Sequence, residues 1–300
     1  MYDGLIQEYE GKFGKGRTVD DIVGWIEELP PMPNVITRAL RQVDDANTTP
    51  QELAEVIMLD AALASSILRL ANSAGMGQQQ RVATLPVAIL LLGMGVIKRL
   101  LLASALRRWN ANFGPVQRLV WEKSIGAATA AHVLCEQRKK WYRDELCLTG
   151  LLHNLGQTIL LSDKEIGSFY PAVLDRMRER NEDFATAERE VIGFSHPLIG
   201  ALVAQKWGLP LPTCQAILHY SDPFEGIFGP QDEELGMLKL AVGIGLASGL
   251  GQPEGHTADM KGLETLAIAV GFDQATLSAE LQELMDKTKT RFSAEVSAYA

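Results

Sequence analysis

Cysteine is scarce in this chain. Cys135, Cys147 and Cys214 are all it has, too few and too scattered for a disulfide framework or a zinc knuckle. A reducing compartment suits them. A cationic excess is missing too: the net charge is −9 at pH 7 and the isoelectric point about 5.2. That balance argues against phosphate-dominated nucleic-acid binding, which needs clustered Lys and Arg. Two basic stretches, "KRLLLASALRRW" (98–109) and "EQRKKWYR" (136–143), read as solvated helix ends. Long apolar runs are also lacking. The longest, Leu85–Ile97, contains Pro86, Gly93 and Gly95 and stops at Lys98–Arg99, short of the roughly 20 residues that span a bilayer. The opening "MYDGLIQEYEGKFGKG" is polar and acidic at first, unlike a secretory signal. These absences predict a cytoplasmic protein with no membrane and no nucleic-acid partner.

Strand alternation is absent as well, and helix signals fill the space it leaves. With 300 residues, 47% of them hydrophobic, the chain can bury a sizeable core. Thr18 opens a short helix, with Val19, Ile22, Val23 and Ile26 inward, and "LPPMP" (29–33) breaks it. A helix over 34–44 follows. Thr49-Pro50-Gln51-Glu52 has the pattern of a capping box with proline at the first helical position. Asp60 caps the next helix, "GMGQQQ" (75–80) reads as a loop, Thr84 caps another, and Gly93 ends it. Helices are then predicted near 95–108, 116–138, 144–161, 166–180, 184–192, 196–207, 212–220, 233–249 and 259–270. In a last one Leu277, Leu281, Leu284 and Met285 form an apolar stripe. The fold class is all-α, a bundle of at least ten helices.

Polar residues interrupt the most apolar of these helices. In 144–161, Leu148, Leu151, Leu152, Leu155, Ile159 and Leu160 wrap most of the circumference, so the helix is enclosed. Yet Thr149, His153, Gly156 and Gln157 share a face at helical spacing, with Asn154 beside it. A buried imidazole or carboxamide without partners costs about 1–3 kcal/mol. The stripe therefore meets polar neighbours, water or an ion. In 116–138, Lys123 falls on the apolar stripe, where it can snorkel outward or turn its ammonium into a polar pocket. The small residues of "GAATAA" (126–131) permit close approach of a neighbour. His196 lies where Ser195 or His196 caps a helix entered by Pro197, and the helix N-terminus there favours neutral imidazole. His219 sits at a helix end. His132 reads as a helix-surface residue and His256 as a loop residue. Cys147 and Cys214 flank the candidate pocket in sequence but read as small hydrophobes.

In order along the chain, "LPPMP", "TPQELAEVIMLD", "RLANSA", "VAILLLGMGVIKRLLLASAL", "TGLLHNLG" and "EREVIGFSHPLIGALVAQKWGLP" resemble the HDOD domain, the HD-related output domain of bacterial signalling proteins. The resemblance covers about residues 25–225. It implies a tail over 1–17, an HDOD domain over 18–225 with an HD-like core at about 116–225, and C-terminal helices over 226–300 that complete or extend it.

The resemblance also implies a site. Catalytic HD relatives bind metal through a His, a His–Asp pair and a distant Asp, and use it to activate water against a phosphoryl group. Here the first His position is Lys123, in Trp121-Glu122-Lys123-Ser124. The pair is His153–Asn154, and the segment matching the last Asp, "LKLAVGIGLASG" (238–249), has no carboxylate. His196 and His219 match accessory positions of some two-metal members. A Lys ammonium repels a divalent ion where a ligand should sit, by about 4 kcal/mol per pair of unit charges at roughly 4 Å and an effective dielectric constant near 20.

The expected pocket residues are therefore Lys123, His153, Asn154, Gln157, His196 and His219. No cofactor is expected, and Lys123 is expected to replace the metal as central cation, hydrogen-bonded to Asn154. The alternative is a transition metal held by His153, His196 and His219 alone. Two function classes follow: a non-catalytic regulatory module that binds a signalling protein or a small ligand, or a metal-dependent phosphohydrolase with an atypical all-His site. The oligomeric state stays open.

Overall fold

Helix starts are built where the short polar residues stand. Thr49 Oγ1 accepts from the Glu52 N–H, and Glu52 returns the bond to the Thr49 N–H, so the capping box is closed. Asp60 accepts from Leu63 N–H. Thr84 occupies its cap position without a side-chain bond, and Gly93, at φ 79°, ends the helix that follows.

The computed structural model describes residues 19–29, 32–73, 81–109, 114–140, 142–224 and 232–299. The Thr18 start, the 75–80 loop and much of the 223–230 boundary lie outside them. Among the described residues every regular element is a helix. The first six are α1 (Val19–Glu28), α2 (Asn34–Asp44), α3 (Pro50–Ile57), α4 (Ala61–Ala71), α5 (Leu85–Leu92) and α6 (Met94–Trp109). The middle group is α7 (Pro115–Arg138), α8 (Arg143–Leu152), α9 (Leu155–Ser162), α10 (Lys164–Gly167), α11 (Tyr170–Arg180), α12 (Phe184–Val191), α13 (His196–Lys206) and α14 (Leu211–His219). The last three are α15 (Glu233–Ala247), α16 (Met260–Ala269) and α17 (Leu277–Tyr299).

Two predicted helices are each broken in two, for local reasons. The expected helix over 144–161 is α8 and α9, with His153 and Asn154 at the joint. In a continuous helix the Gly150 carbonyl would take the Asn154 N–H; here His153 Nδ1 reaches that carbonyl at 2.6 Å. The expected helix over 166–180 is α10 and α11. Pro171 has no N–H to carry a helix forward but suits its first turn.

α7 is the axis. Nearly all of it from Val120 to Cys135 is buried, with α8, α15 and α17 packed against it. One core joins α1–α6 to α9, α11, α13 and α14. A second joins the Ala127–Cys135 part of α7 to α15–α17. The small residues of α7 do admit a close neighbour: a Cβ on Gly245 of α15 would lie 3.1 Å from the Gly126 carbonyl carbon. The stripe of α17 is buried as expected.

Two side chains expected in solvent turn inward. Arg99 is buried with its guanidinium 3.9 Å from Asp144. His132 is buried too, and loss of water, aided by Arg291, Arg99 and Arg143, pushes its imidazole down to about 3. Among the described residues no single helix is long and apolar enough to cross a membrane. α5 and most of α6 meet such a length only as a pair, and they bend by 110°.

Candidate functional site

The joint between α8 and α9 carries the polar centre. His153, Asn154 and Gln157 are wholly buried there. The Gly150 carbonyl can only accept, so His153 Nδ1 holds the proton and Nε2 presents a lone pair. Burial, followed by the charge of Lys123, holds this imidazole well below its usual range, so it is neutral.

α9 and α13 cross backbone to backbone. A Cβ on Gly156 would come within 1.9 Å of the His196 carbonyl oxygen, so this crossing demands glycine. It sets the start of α13 directly over the joint. Ser195 holds the cap position but makes no capping bond; a carboxylate from α12 does that work instead. Glu188 Oε2 accepts from the His196 N–H at 2.7 Å and from its Nδ1 at 2.6 Å. Glu188 Oε1 accepts from Tyr170 Oη at 2.8 Å and from Gln157 Nε2 at 3.2 Å. This wholly buried acid thus holds four hydrogen bonds. From His196 the chain runs on: Nε2 meets Tyr220 Oη, which donates to Asn154 Oδ1 at 3.2 Å.

Sequence reasoning missed Glu188 and both tyrosines. A signal for Glu188 was present. Phe184, Ala187, Glu188 and Val191 share one face of α12 at helical spacing, and an acid on an apolar face is a buried acid or a mistake. Tyr170 and Tyr220 carry no comparable mark, because an aromatic on an apolar face is ordinary core.

Lys123 does not snorkel. It is 7% exposed, and Gly251, at φ 68°, closes over its backbone so tightly that a Cβ there would lie 2.3 Å from Lys123 N. Nor does its ammonium bond Asn154: Oδ1 of that amide accepts from Tyr220, and Nδ2 has no partner among the described residues. The ammonium lies 5.4 Å from the Phe184 ring centre and 5.7 Å from that of Tyr220, within cation–π range. It makes no hydrogen bond among the described residues. Burial pushes it down to about 8, against the pull of Glu188 and Asp183.

Above it lies a cavity of about 250 Å³. α12 gives it Phe184, α14 and its exit give Tyr220 and Asp222, and α15 and α16 wall it with Val242, Leu246 and Leu266. His196 reaches this cavity. His219 stands apart from its lining, with Nδ1 2.8 Å from Asp222 Oδ2. The expected residues thus separate into Lys123 and His196 at the cavity, His153, Asn154 and Gln157 beneath them, and His219 at the edge. Cys147 and Cys214 are buried free thiols.

The HDOD domain family profile matches residues 29–223. The chain belongs to the HDOD domain family. A relative of this HDOD protein is an uncharacterized protein of Treponema pallidum (strain Nichols), 24% identical over 204 residues, which are 66% of this chain and 39% of that protein. The chain therefore spans well under half the length of that curated relative. Among solved structures it is similar to an HDOD domain protein of unknown function from Geobacter sulfurreducens, with TM-score 0.70, 21% identity and coverage of 96% and 95% of the two chains. It is also similar to a protein provisionally named a phosphohydrolase from Shewanella amazonensis SB2B (0.65, 23%, 89% and 97%). A third neighbour, provisionally named a signal transduction protein, is from Marinobacter aquaeolei VT8 (0.64, 20%, 98% and 64%). At these identities the likenesses show a shared fold.

The HD metal site that this family suggests finds a poor donor set in this HDOD chain. Among the described residues no three His, Cys, Asp or Glu side chains converge on one ion. His196 has both nitrogens engaged, Glu188 both oxygens, and His219 faces Asp222. Among the described residues of this centre, His153 Nε2 is a ligand-type atom left open, and the Lys123 charge already acts on that ring. The residues do not fit a resident divalent ion.

Proposed function

We propose that this HDOD chain is a non-catalytic signal-transduction module that works by binding a protein or a small ligand. The observation that carries this is the environment of Lys123. An ammonium on α7 stands where the HD resemblance puts an imidazole donor, and among the described residues no three His, Cys, Asp or Glu side chains gather to hold a hydrolytic cation. The buried acid that is present, Glu188, spends its oxygens on His196, Tyr170 and Gln157. Its part is to hold α9, α12 and α13 in register.

The competing reading is a metal-dependent phosphohydrolase, the name carried by the Shewanella neighbour. Elemental analysis of the protein purified with manganese, iron and zinc supplied, together with turnover of bis(p-nitrophenyl) phosphate and cyclic dinucleotides, separates the two. The expected result is metal well below one equivalent, unchanged in His153→Ala, and no turnover. Stoichiometric metal that disappears in His153→Ala, with turnover that follows it, would overturn the proposal.

A further inference from the structure

The cavity above Lys123 has a chemistry that selects its occupant. Its floor is one ammonium, nine-tenths buried, which lines the space and makes no hydrogen bond among the described residues. An ammonium has three donors, and here the neighbours within reach are ring faces. A second cation, Lys239, lines the same space but is fully spent. Its Nζ donates to the carbonyls of His219 (2.7 Å), Tyr220 (3.1 Å) and Asp222 (2.6 Å) and so ties down the end of α14. The site therefore offers one ammonium with donors to spare, beside a second whose donors are taken.

The walls limit the ligand further. Asp183 and Asp222 stand in the lining. Asp183 is held by the Thr186 N–H and hydroxyl, and Asp222 faces His219. Lys123 and Lys239 are matched in number by these two carboxylates, so the lining gives a doubly charged anion little net attraction, and one ammonium with donors to spare suits a single charge. The far wall is Val242, Leu246 and Leu266, on the stretch of α15 and α16 that includes the segment without a carboxylate. This wall wants an apolar body, and 250 Å³ holds one of about ten non-hydrogen atoms.

We propose that the cavity binds a small organic monoanion, a carboxylate with a ring or branched apolar body, with the carboxylate on Lys123 and the body between Phe184, Tyr220 and Leu246. The proposal deepens the binding reading above and rests on it.

Phenylacetate, its neutral isostere phenylacetamide, and inorganic phosphate are the probes, added to the full chain and followed by titration calorimetry and by amide shifts in NMR. The expected result is saturable binding of phenylacetate at least tenfold tighter than of the amide or of phosphate at neutral pH, with shifts confined to α7, α12 and α15. Lys123→Met, which keeps the length and removes the charge, should weaken phenylacetate tenfold or more. Leu246→Trp, which fills the apolar side and leaves Lys123 in place, should abolish binding without altering the circular dichroism. The comparison of acid and amide on wild-type protein stands even if a variant fails to fold. Equal affinity for acid and amide, or binding that survives Leu246→Trp, would overturn the proposal. So would the absence of saturable phenylacetate binding. Phosphate bound as tightly as phenylacetate would also overturn it and point to a phosphoryl site. The binding reading fails by a different sign, stoichiometric metal with turnover, so the two failures are distinct.

Discussion

Two halves of one buried polar centre behave in opposite ways. Around Glu188, four donors meet one carboxylate, and the chain continues through His196 and Tyr220 to Asn154 Oδ1. A few ångströms away, Lys123 Nζ faces aromatic rings, and His153 Nε2 and Asn154 Nδ2 lack partners among the described residues. Both halves are taken out of water, yet only the first is compensated from within. A satisfied buried network fixes geometry. An unsatisfied one lowers stability by the desolvation of each orphaned group and stores affinity for whatever supplies the missing bonds. On the binding proposal, the first half holds the helices and the second receives a ligand.

The largest test of that division falls on the saturated half. Glu188→Ala would leave the His196 N–H and Nδ1, Tyr170 Oη and Gln157 Nε2 without their acceptor, in a place water reaches poorly. Removing one partner of a buried charged network typically costs about 3–5 kcal/mol. Urea unfolding of the variant should show a loss of that order. A loss under 1 kcal/mol would mean that Glu188 is not the keystone of the α9–α12–α13 junction.

Lys123→Met tests the open half and should act in the other direction. The ammonium is driven from 10.5 down to about 8 in the fold, mainly by burial. Between pH 8 and 10.5 the unfolded chain therefore holds a proton that the folded chain has released, and stability must rise with pH across that window. Below about pH 8 both states carry the charge, and the fold bears the full cost, on the order of 3 kcal/mol at about 1.4 kcal/mol per tenfold change in proton affinity. Methionine never carries it. The variant should be more stable than wild type at pH 7, by up to that amount, and the gap should close as pH rises to 10.5. Lys239, also depressed to about 8 by burial, titrates in both proteins and cancels in the difference. A variant less stable than wild type at pH 7 would show that the ammonium is already well paired.

Much of this was legible in the residues. Thr49 and Glu52 announced their capping box, Asp60 its cap, and Gly93 its stop, because each acts on backbone within four positions. The polar stripe on the enclosed helix pointed to His153, Asn154 and Gln157 as buried. What was not legible is how the stripe is satisfied. The partner of Gln157 lies 31 residues away, and that of Asn154 lies 66 residues away, and spacing along one helix carries no information about such pairs. The break at His153 was hidden for another reason: a side chain competing for one carbonyl leaves no trace in apolar periodicity. His132 was misplaced because its outward position on α7 faces another helix instead of solvent.

The smallest effect lies on the border between the halves, at Tyr220. Its hydroxyl bridges His196 Nε2 and Asn154 Oδ1, while its ring faces Lys123 and lines the cavity. Tyr220→Phe keeps the ring and removes the bridge. Each buried group left unpaired costs about 1–3 kcal/mol if it stays dry, but the cavity next to Tyr220 admits water that can take over part of the bridge. The net loss should therefore be near 1 kcal/mol, well under that of Glu188→Ala. Tyr170 is not among the residues that line this cavity, and it shares Glu188 Oε1 with Gln157, so Tyr170→Phe leaves that oxygen one partner. Thermal unfolding of the two variants side by side should give losses of similar size, with phenylacetate affinity kept in both, since Tyr220→Phe retains the ring that lines the cavity. If Tyr220→Phe instead matches Glu188→Ala, the hydroxyl belongs wholly to the sealed network, and the border drawn between a structural half and a receptive half is in the wrong place.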